Sequence, residues 1–191
     1  TPFRMRGILS MIPAIVLLYA CGNPPEPNQP EEPQIVEIIT DLENPDSLLT
    51  AQPLAWKNGS TIREGMAYSG KFASHLDAEN EYSFVFEQKL GYVSNLLPAR
   101  LTYEARVYSE KPAPGGYMVV SIDDKGYYQS YPIADFFARG GDWKKVSSTY
   151  ELPDSLEPSD LIKVYIWNNR ESELLVDDIS LQFELIPEKE R

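Results

Sequence analysis

Few residues in this chain could act as a nucleophile's base or as a soft metal ligand. The sequence has one histidine, His75, and one cysteine, Cys21, among 191 residues. A disulfide framework and a zinc site of several His or Cys ligands are therefore excluded. A Ser-His-Asp arrangement would have only His75 as its base, and we expect His75 to be a surface residue instead.

Carboxylates are abundant, with 29 Asp and Glu residues, and glycoside hydrolysis needs only two of them. Two acidic pairs have a spacing of two residues: Asp41 with Glu43, and Glu171 with Glu173. The first pair is a candidate for metal binding and the second lies in a predicted turn. We therefore expect a protein that binds without catalysing a reaction.

The charge balance restricts the class of partner. Seventeen Lys and Arg residues against 29 acids give a formal net charge of -12. Nucleic acid is disfavoured because phosphate binding needs a basic face. Acidic polysaccharides are disfavoured by the same repulsion, whereas neutral glycans are not.

The N-terminal residues have the pattern of a secretory signal. Arg4 and Arg6 precede an apolar run over residues 8–18, which is shorter than the roughly 20 residues that span a bilayer. The segment Leu-Tyr-Ala-Cys that ends at Cys21 resembles a bacterial lipobox, although its tyrosine is bulkier than usual. The resemblance implies that residues 1–20 are a lipoprotein signal peptide. Lipidated Cys21 would then anchor an exported protein at the outer membrane or cell surface; the alternative is a buried N-terminal helix with an incidental cysteine.

A tether is predicted over residues 21–34. Five prolines and three glutamates stand between positions 22 and 33, a composition that builds neither a core nor a helix and favours a stiff, polyproline-like spacer. A single folded domain is expected over residues 35–186, followed by a charged tail at 187–191.

The domain sequence favours strands. In residues 101–107 apolar and polar side chains alternate, and Asp-Asp-Lys-Gly at 123–126 predicts a hairpin turn. Only residues 46–49 and 134–138 leave room for a helical turn. Strands at this spacing without intervening helices predict an all-β fold, an antiparallel β-sandwich or barrel.

Five short motifs follow one another along the domain: Asp-Leu-Glu at 41–43, Gly-x-x-x-Ser-Gly-Lys at 65–71, Phe-Glu-Gln at 86–88, Gly-Asp-Trp-Lys-Lys-Val at 141–146 and Asp-Asp at 177–178. In order and spacing they resemble the motifs of jelly-roll carbohydrate-binding modules that include xylan- and glucan-binding families. The resemblance covers nearly all of residues 35–186 and implies a jelly-roll β-sandwich. Trp56 and Trp143 match positions that are usually structural, so we expect both in the core. Sugar binding is a weaker implication, since a fold does not determine a function.

One acidic residue is predicted inside the domain. Strict alternation places Asp177 on the same face of the last strand as Leu175 and Ile179. Because that face is apolar, we expect the carboxylate to point inward. A buried carboxylate needs a cation or hydrogen-bond donors.

A calcium ion is the predicted partner of the Asp177 carboxylate. In the jelly rolls that this chain resembles, the first strand neighbours the last, which would bring Asp41 and Glu43 towards Asp177. The resemblance also implies backbone carbonyl ligands from Ser69 to Lys71, and oxygen-rich sets of this kind suit Ca²⁺. The alternative is a metal-free cluster in which backbone N–H groups and Lys71 satisfy the carboxylates.

Sugar recognition needs flat aromatic faces and directional polar groups. Arg106 and Tyr108 alternate with core positions on one strand, and Tyr165 and Trp167 alternate with apolar residues on another. These four are the candidate ligand-binding residues, the alternative being that they pack against neighbouring structure.

The expected function is therefore that of a lipid-anchored, non-catalytic module that captures a neutral glycan at the cell surface. A structural or adaptor lipoprotein is the alternative, using the same β-sandwich to hold an envelope protein. Residue types do not separate the two, because Tyr, Trp and Arg are also enriched in protein interfaces.

Overall fold

Two antiparallel sheets form the domain in the computed structural model, which describes residues 33–53, 55–169 and 172–185. The strands of the first, here called the large sheet, are β1 (Gln34–Thr40), β3 (Ile62–Glu64), β4 (Phe72–Leu76), β6 (Pro98–Ser109), β9 (Asp142–Glu151) and β11 (Leu174–Leu185). The strands of the second, the small sheet, are β2 (Trp56–Lys57), β5 (Val85–Lys89), β7 (Gly116–Ile122), β8 (Tyr127–Pro132) and β10 (Leu161–Asn168). The predicted all-β sandwich is confirmed.

Strands from both halves of the sequence are interleaved in each sheet. The order is β3-β4-β11-β6-β9 in the large sheet, with β1 also paired to β11, and β2-β5-β10-β7-β8 in the small sheet. Both β4 and β1 pair with β11 on the side away from β6: Leu174 to Val176 face β4, and Ile179 to Leu185 face β1. β11 therefore changes neighbours between residues 176 and 179.

Helical structure is limited to short segments. They are α1 (Pro45–Thr50), α2 (Leu90–Val93) and 3₁₀ turns at Gly59–Thr61, Asp123–Lys125 and Ala134–Phe136. Both predicted helical turns and the β7–β8 hairpin are confirmed, the latter closed by Gly126 at φ +61°. The expectation that only these two stretches leave room for a helical turn is wrong, because α2 and the 3₁₀ turns at 59–61 and 123–125 form as well. In the described part of the chain, no helix is long and apolar enough to cross a membrane.

The core lies between the inner faces of the two sheets. Phe86 of the small sheet contacts Phe183 of the large sheet, with ring centroids 6.1 Å apart. Trp56 is buried and stacks on Phe84 at 4.9 Å, which confirms its predicted core position. The buried Tyr150 hydroxyl donates a hydrogen bond to the Met118 carbonyl oxygen across the sandwich at 2.8 Å. Outward side chains of the two sheets consequently point in opposite directions.

A β-bulge interrupts the alternation of β11. Asp177 pairs with Arg106 and Ser180 with Glu104, so three steps on β11 oppose two on β6. Asp178, in the bulge, has a left-handed φ of +44°. The bulge moves the core positions from Leu174 and Val176 to the odd-numbered residues that follow. Asp177 is fully buried, but the prediction that it points into the core is wrong, because simple alternation does not hold across a bulge.

Candidate functional site

The four predicted ligand-binding residues do not lie together. Arg106 and Tyr108 are on β6 of the large sheet, whereas Tyr165 and Trp167 are on β10 of the small sheet. Each pair is on the outer face of its sheet, since the residues between them are buried in the core. The structure thus separates two candidate surfaces on opposite sides of the sandwich.

The outer face of the small sheet carries five aromatic side chains that we call the aromatic row. They are Tyr82, Tyr117, Tyr128, Tyr165 and Trp167. Alternation on β10 explains why two of these residues face outward. The side chains of Ile162, Val164 and Ile166 lie in the core, so those of Tyr165 and Trp167 lie on the opposite face of the strand.

Cross-strand pairing fixes one end of the row. Trp167 and Tyr117 are direct partners on β10 and β7, and their rings stack at 5.5 Å with 28° between the planes. The Trp167 indole N–H donates a hydrogen bond to the Glu81 carboxylate at 3.4 Å. Ring orientation here is therefore set by the sheet and by a polar contact, as a binding platform requires.

Tyr165 forms the middle of the row. It meets Tyr82 edge to face at 5.5 Å. Burial, with further contributions from Tyr128 and Tyr82, raises the pKa of Tyr165 to about 12. The phenol consequently keeps its proton at neutral pH and remains a hydrogen-bond donor.

Tyr82 and Tyr128 are the most accessible members, 47% and 54% exposed. Simple alternation with Phe84 and Phe86 would place Tyr82 on their face, yet those rings are buried and Tyr82 is exposed. The residue precedes β5 and forms an isolated bridge with Trp167, so it belongs to the other side. Only this pairing, which links positions 85 residues apart, identifies Tyr82.

The outer face of the large sheet carries a second group, the Tyr68 patch, made of Tyr68, Arg106, Tyr108 and Trp143. The Arg106 guanidinium lies over the Tyr68 ring at 4.4 Å. Trp143 lies 5.9 Å from Tyr68 and 5.7 Å from Tyr108, its cross-strand partner. Tyr108 is buried, and its hydroxyl donates a hydrogen bond to the Glu110 carboxylate. The core position predicted for Trp143 is wrong: the ring is half-buried on the outer face, because β9 pairs it with the outward Tyr108.

Asp177 holds the backbone of this patch. Its Oδ2 accepts hydrogen bonds from the N–H groups of Tyr68 (2.8 Å) and Ser69 (3.0 Å), and its Oδ1 accepts one from Asp178 N–H at 2.7 Å. The Ser69 hydroxyl donates to the Asp178 carboxylate at 2.7 Å. The loop between β3 and β4 is thereby tied to the bulge of β11.

Glu43 holds the next part of the same loop. Its Oε1 accepts hydrogen bonds from Lys71 N–H (2.7 Å) and Phe72 N–H (2.9 Å). Gly70 stands against this carboxylate at φ +59°, and a Cβ there would lie 2.1 Å from the Glu43 carboxyl carbon. Asp41 Oδ1 accepts from Glu43 N–H at 3.1 Å. Of the five residues predicted for calcium, Asp177 and Glu43 thus bind adjacent parts of the loop that contains Ser69 and Lys71, whereas the contact of Asp41 is with the backbone of Glu43.

The contacts of these five residues are not those of a metal site. Ca²⁺ binds oxygen ligands, whereas the loop presents N–H groups to Asp177 and Glu43. The described residues contain no group of three or more His, Cys, Asp and Glu side chains that could hold a metal ion. The donor set in this arrangement does not fit calcium and matches the metal-free alternative; the calcium site stays a prediction.

His75 also lies on the large sheet, half-buried opposite Leu175 of β11. Burial, followed by the nearby Arg63 charge, lowers the pKa of His75. Its Nε2 is buried and has no hydrogen-bond partner among the described residues. The expectation of a simple surface histidine is thus wrong in part.

Comparison with known proteins gives likenesses of structure only. No family model matches the sequence, and no curated protein matches it significantly. Among solved structures, the CBM22-1 xylan-binding domain of Paenibacillus barcinonensis Xyn10C is 14% identical, with a TM-score of 0.47 over 82% of this chain and 98% of that one. The xylan-binding module CBM15 is 10% identical, with a TM-score of 0.45 over 81% and 100% of the two chains.

This chain is similar to a comparable degree to a protein that is not a carbohydrate-binding module. The Stig cyclase Fisc from Fischerella sp. TAU is 12% identical, with a TM-score of 0.42 over 85% of this chain and 93% of that one. Carbohydrate-binding modules are thus among the structures that this chain is similar to, as the motif order predicts. With TM-scores below 0.5, none of these likenesses carries an argument about the ligand.

Asp177 can be tested by substitution. Asp177→Ala leaves three N–H groups without their acceptor and is expected to lower the free energy of unfolding by about 3 kcal/mol. Asp177→Asn retains one acceptor oxygen and should cost less. Urea unfolding measures both, with Asp154→Asn on an exposed loop as the matched control; a loss in Asp177→Ala no larger than in the control would contradict this role.

The loss of unfolding free energy caused by Asp177→Asn should also depend on pH. Burial, the largest influence, raises the pKa of Asp177 in the folded state, against the opposing effect of the N–H bonds. A raised folded pKa stabilises the protein below the unfolded pKa, and this contribution is lost as pH rises through the folded value. The destabilisation by Asn, which cannot titrate, is therefore expected to shrink as the pH rises above the unfolded carboxyl pKa of about 4. A difference that grows with pH would contradict the assignment.

The calcium prediction has a direct test. Thermal unfolding is compared in millimolar calcium and in excess chelator. A higher Tm with calcium supports the site, because a ligand of the folded state stabilises it by mass action. Identical curves would show that backbone hydrogen bonds alone hold the cluster.

Proposed function

We propose that this domain binds a neutral polysaccharide along the aromatic row and catalyses no reaction on it. The observation that supports this is the row itself: five aromatic side chains on one solvent-facing sheet, outside the core. The outer face of an antiparallel sheet is ordinarily polar. Aromatic rings on such a face are a reason to infer a ligand.

The row has the chemistry that a sugar ring requires. Pyranose C–H groups pack on aromatic faces, while hydroxyls need donors and acceptors beside them. The phenols of Tyr165, Tyr82 and Tyr128 supply both, and the exposed Tyr82 and Tyr128 are accessible to a chain crossing the strands. Since the planes of Tyr82 and Tyr165 differ by 75°, the row suits a single polysaccharide chain better than a flat crystalline surface.

Charge favours a neutral ligand. The chain has a net charge of -12, and the carboxylates of Glu81 and Asp123 lie near the row. Glu81 accepts the Trp167 indole hydrogen bond, and Asp123 pairs with Lys163 at 2.7 Å. Repulsion from these groups opposes polyanions. Their engagement in structural contacts supports binding without acid–base catalysis.

We further propose that the domain is exported and lipid-anchored through Cys21, with residues 21–34 as the spacer. The support is the signal-like sequence, the single cysteine and the proline-rich segment. The signal peptide, Cys21 and nearly all of the tether lie outside the described residues, as does the tail at 187–191.

The aromatic row is tested by Trp167→Ala. Truncating an aromatic side chain that contacts the ligand typically costs about 2 kcal/mol, roughly a 30-fold loss of affinity. Affinity electrophoresis in gels cast with xylan or β-glucan should show retardation of the wild type and weaker retardation of the variant. Tyr92→Ala, at a 66% exposed tyrosine on α2, is the matched control.

Two outcomes would contradict this function. Undiminished retardation of Trp167→Ala would place any glycan elsewhere on the domain. No retardation on any gel, together with a stable partner in a mild pull-down from envelope extract, would favour the adaptor alternative.

The anchor is tested by metabolic labelling with a palmitate analogue. Lipidation of Cys21 predicts that the wild type is labelled and that Cys21→Ala is not. Label that persists in Cys21→Ala would overturn the proposal, because the sequence has no other cysteine.

A further inference from the structure

The Tyr68 patch needs an explanation beyond packing. It lies on the outer face of the large sheet and adds nothing to the core, whose aromatic members are elsewhere. Tyr68 is 44% exposed and neighbouring Met66 is 48% exposed. Apolar surface of this kind on a solvent-facing sheet indicates an interaction site when polar groups are placed around it.

The position of Tyr68 is unusually well fixed for a loop residue. Its N–H and that of Ser69 donate to the buried Asp177, and the Ser69 hydroxyl donates to Asp178. The same bulge holds Asp178 at φ +44°, a conformation costly for a residue other than glycine. A buried carboxylate and a strained residue thus hold an exposed aromatic ring in one place, which lowers the entropy lost when a ligand binds to it.

Arg106 supplies free polar groups next to this ring. The guanidinium covers Tyr68 and forms no ion pair with any carboxylate in the described part of the chain. It lines a cleft of about 340 Å³ together with Lys145, Glu104, Asp178 and Ser180. Lys145, in contrast, is paired with Glu104 at 2.7 Å. The cleft therefore offers unpaired N–H donors, carboxylate acceptors and a hydroxyl beside an aromatic platform.

The charges around the cleft restrict the ligand. Its lining contains the cations Arg106 and Lys145 and the anions Asp41, Glu104 and Asp178. A polyanion would meet three carboxylates, and a cation would meet the unpaired guanidinium. A neutral polyhydroxyl ligand can use the donors and acceptors together.

We propose that the Tyr68 patch and its cleft are a second saccharide-binding surface, so that the domain is bivalent. The proposal rests on the proposed function for its ligand class, but on separate residues for its site. Because the two sheets face opposite ways, a sugar on the Tyr68 patch cannot be part of the chain bound along the aromatic row. One domain would then cross-link two polysaccharide chains.

Isothermal titration with xylohexaose and with cellohexaose tests this by stoichiometry. Wild-type protein should bind about two molecules of one of these probes per domain, and Tyr68→Ala and Arg106→Ala should each bind about one. Trp167→Ala should also bind about one, through the other surface. Tyr92→Ala is the control and keeps the wild-type value, and equal Tm values show that the variants are folded.

Cross-linking gives a second readout. Wild type should agglutinate xylan- or β-glucan-coated beads, whereas Tyr68→Ala and Trp167→Ala should each bind to beads without agglutinating them. Binding to a neutral saccharide should change little with salt, since no counterions are displaced.

The outcomes separate the two proposals. A stoichiometry of one that disappears only in Trp167→Ala overturns the second surface and leaves the aromatic row in place. A stoichiometry of one that disappears only in Tyr68→Ala and Arg106→Ala overturns bivalence and the row, and moves the sugar site to the large sheet. Absence of binding to both hexasaccharides overturns the second surface as well, and retardation on the polysaccharide gels then decides whether the aromatic row stands.

Discussion

The buried Asp177 carboxylate is the contact on which the loop that carries Tyr68 depends. It lies where β11 changes its neighbour from β4 to β1, a point at which the regular ladder stops. Three backbone N–H groups reach this carboxylate, two of them from the loop at 68–72. Without it, those donors would lose their acceptor at the junction of three strands, and an unsatisfied buried donor costs about 1–3 kcal/mol.

The bulge in β11 and the contacts of Asp177 are linked. The extra residue in β11 turns Asp177 away from the core and towards the loop, and returns the following residues to core register. The Glu43 carboxylate holds the following residues of the loop in the same way, by accepting hydrogen bonds from the N–H groups of Lys71 and Phe72. Two carboxylates from opposite ends of the domain thus hold one loop by its backbone, and this loop presents the Tyr68 ring to solvent.

The sandwich turns one sequence pattern into two separate surfaces. Alternation on β6 and on β10 produces outward polar and aromatic residues in the same way. Because the inner faces of the two sheets pack together, the outward residues of β6 and of β10 face opposite directions. The aromatic row is ordered mainly by cross-strand ring contacts, whereas the Tyr68 patch is ordered by buried hydrogen bonds and a cation–π contact. The two surfaces therefore differ in what holds them rigid.

Local pattern was sufficient for much of this protein. Period-two alternation and turn residues predicted the all-β class, the β7–β8 hairpin and the outward position of Tyr165 and Trp167, since these depend on neighbours within one or two strands. The side of the sandwich on which each strand lies was not available from such patterns. Tyr82, Trp143 and Asp177 were misplaced for that reason: a bridge to a distant strand, an outward partner and a bulge decided where they point. Sequence by itself determined which residues alternate and which are polar, because those properties are local. Only the tertiary structure decided which of them share a surface, because strand pairing between distant parts of the chain and the opposition of the two sheets are set by packing of the whole core.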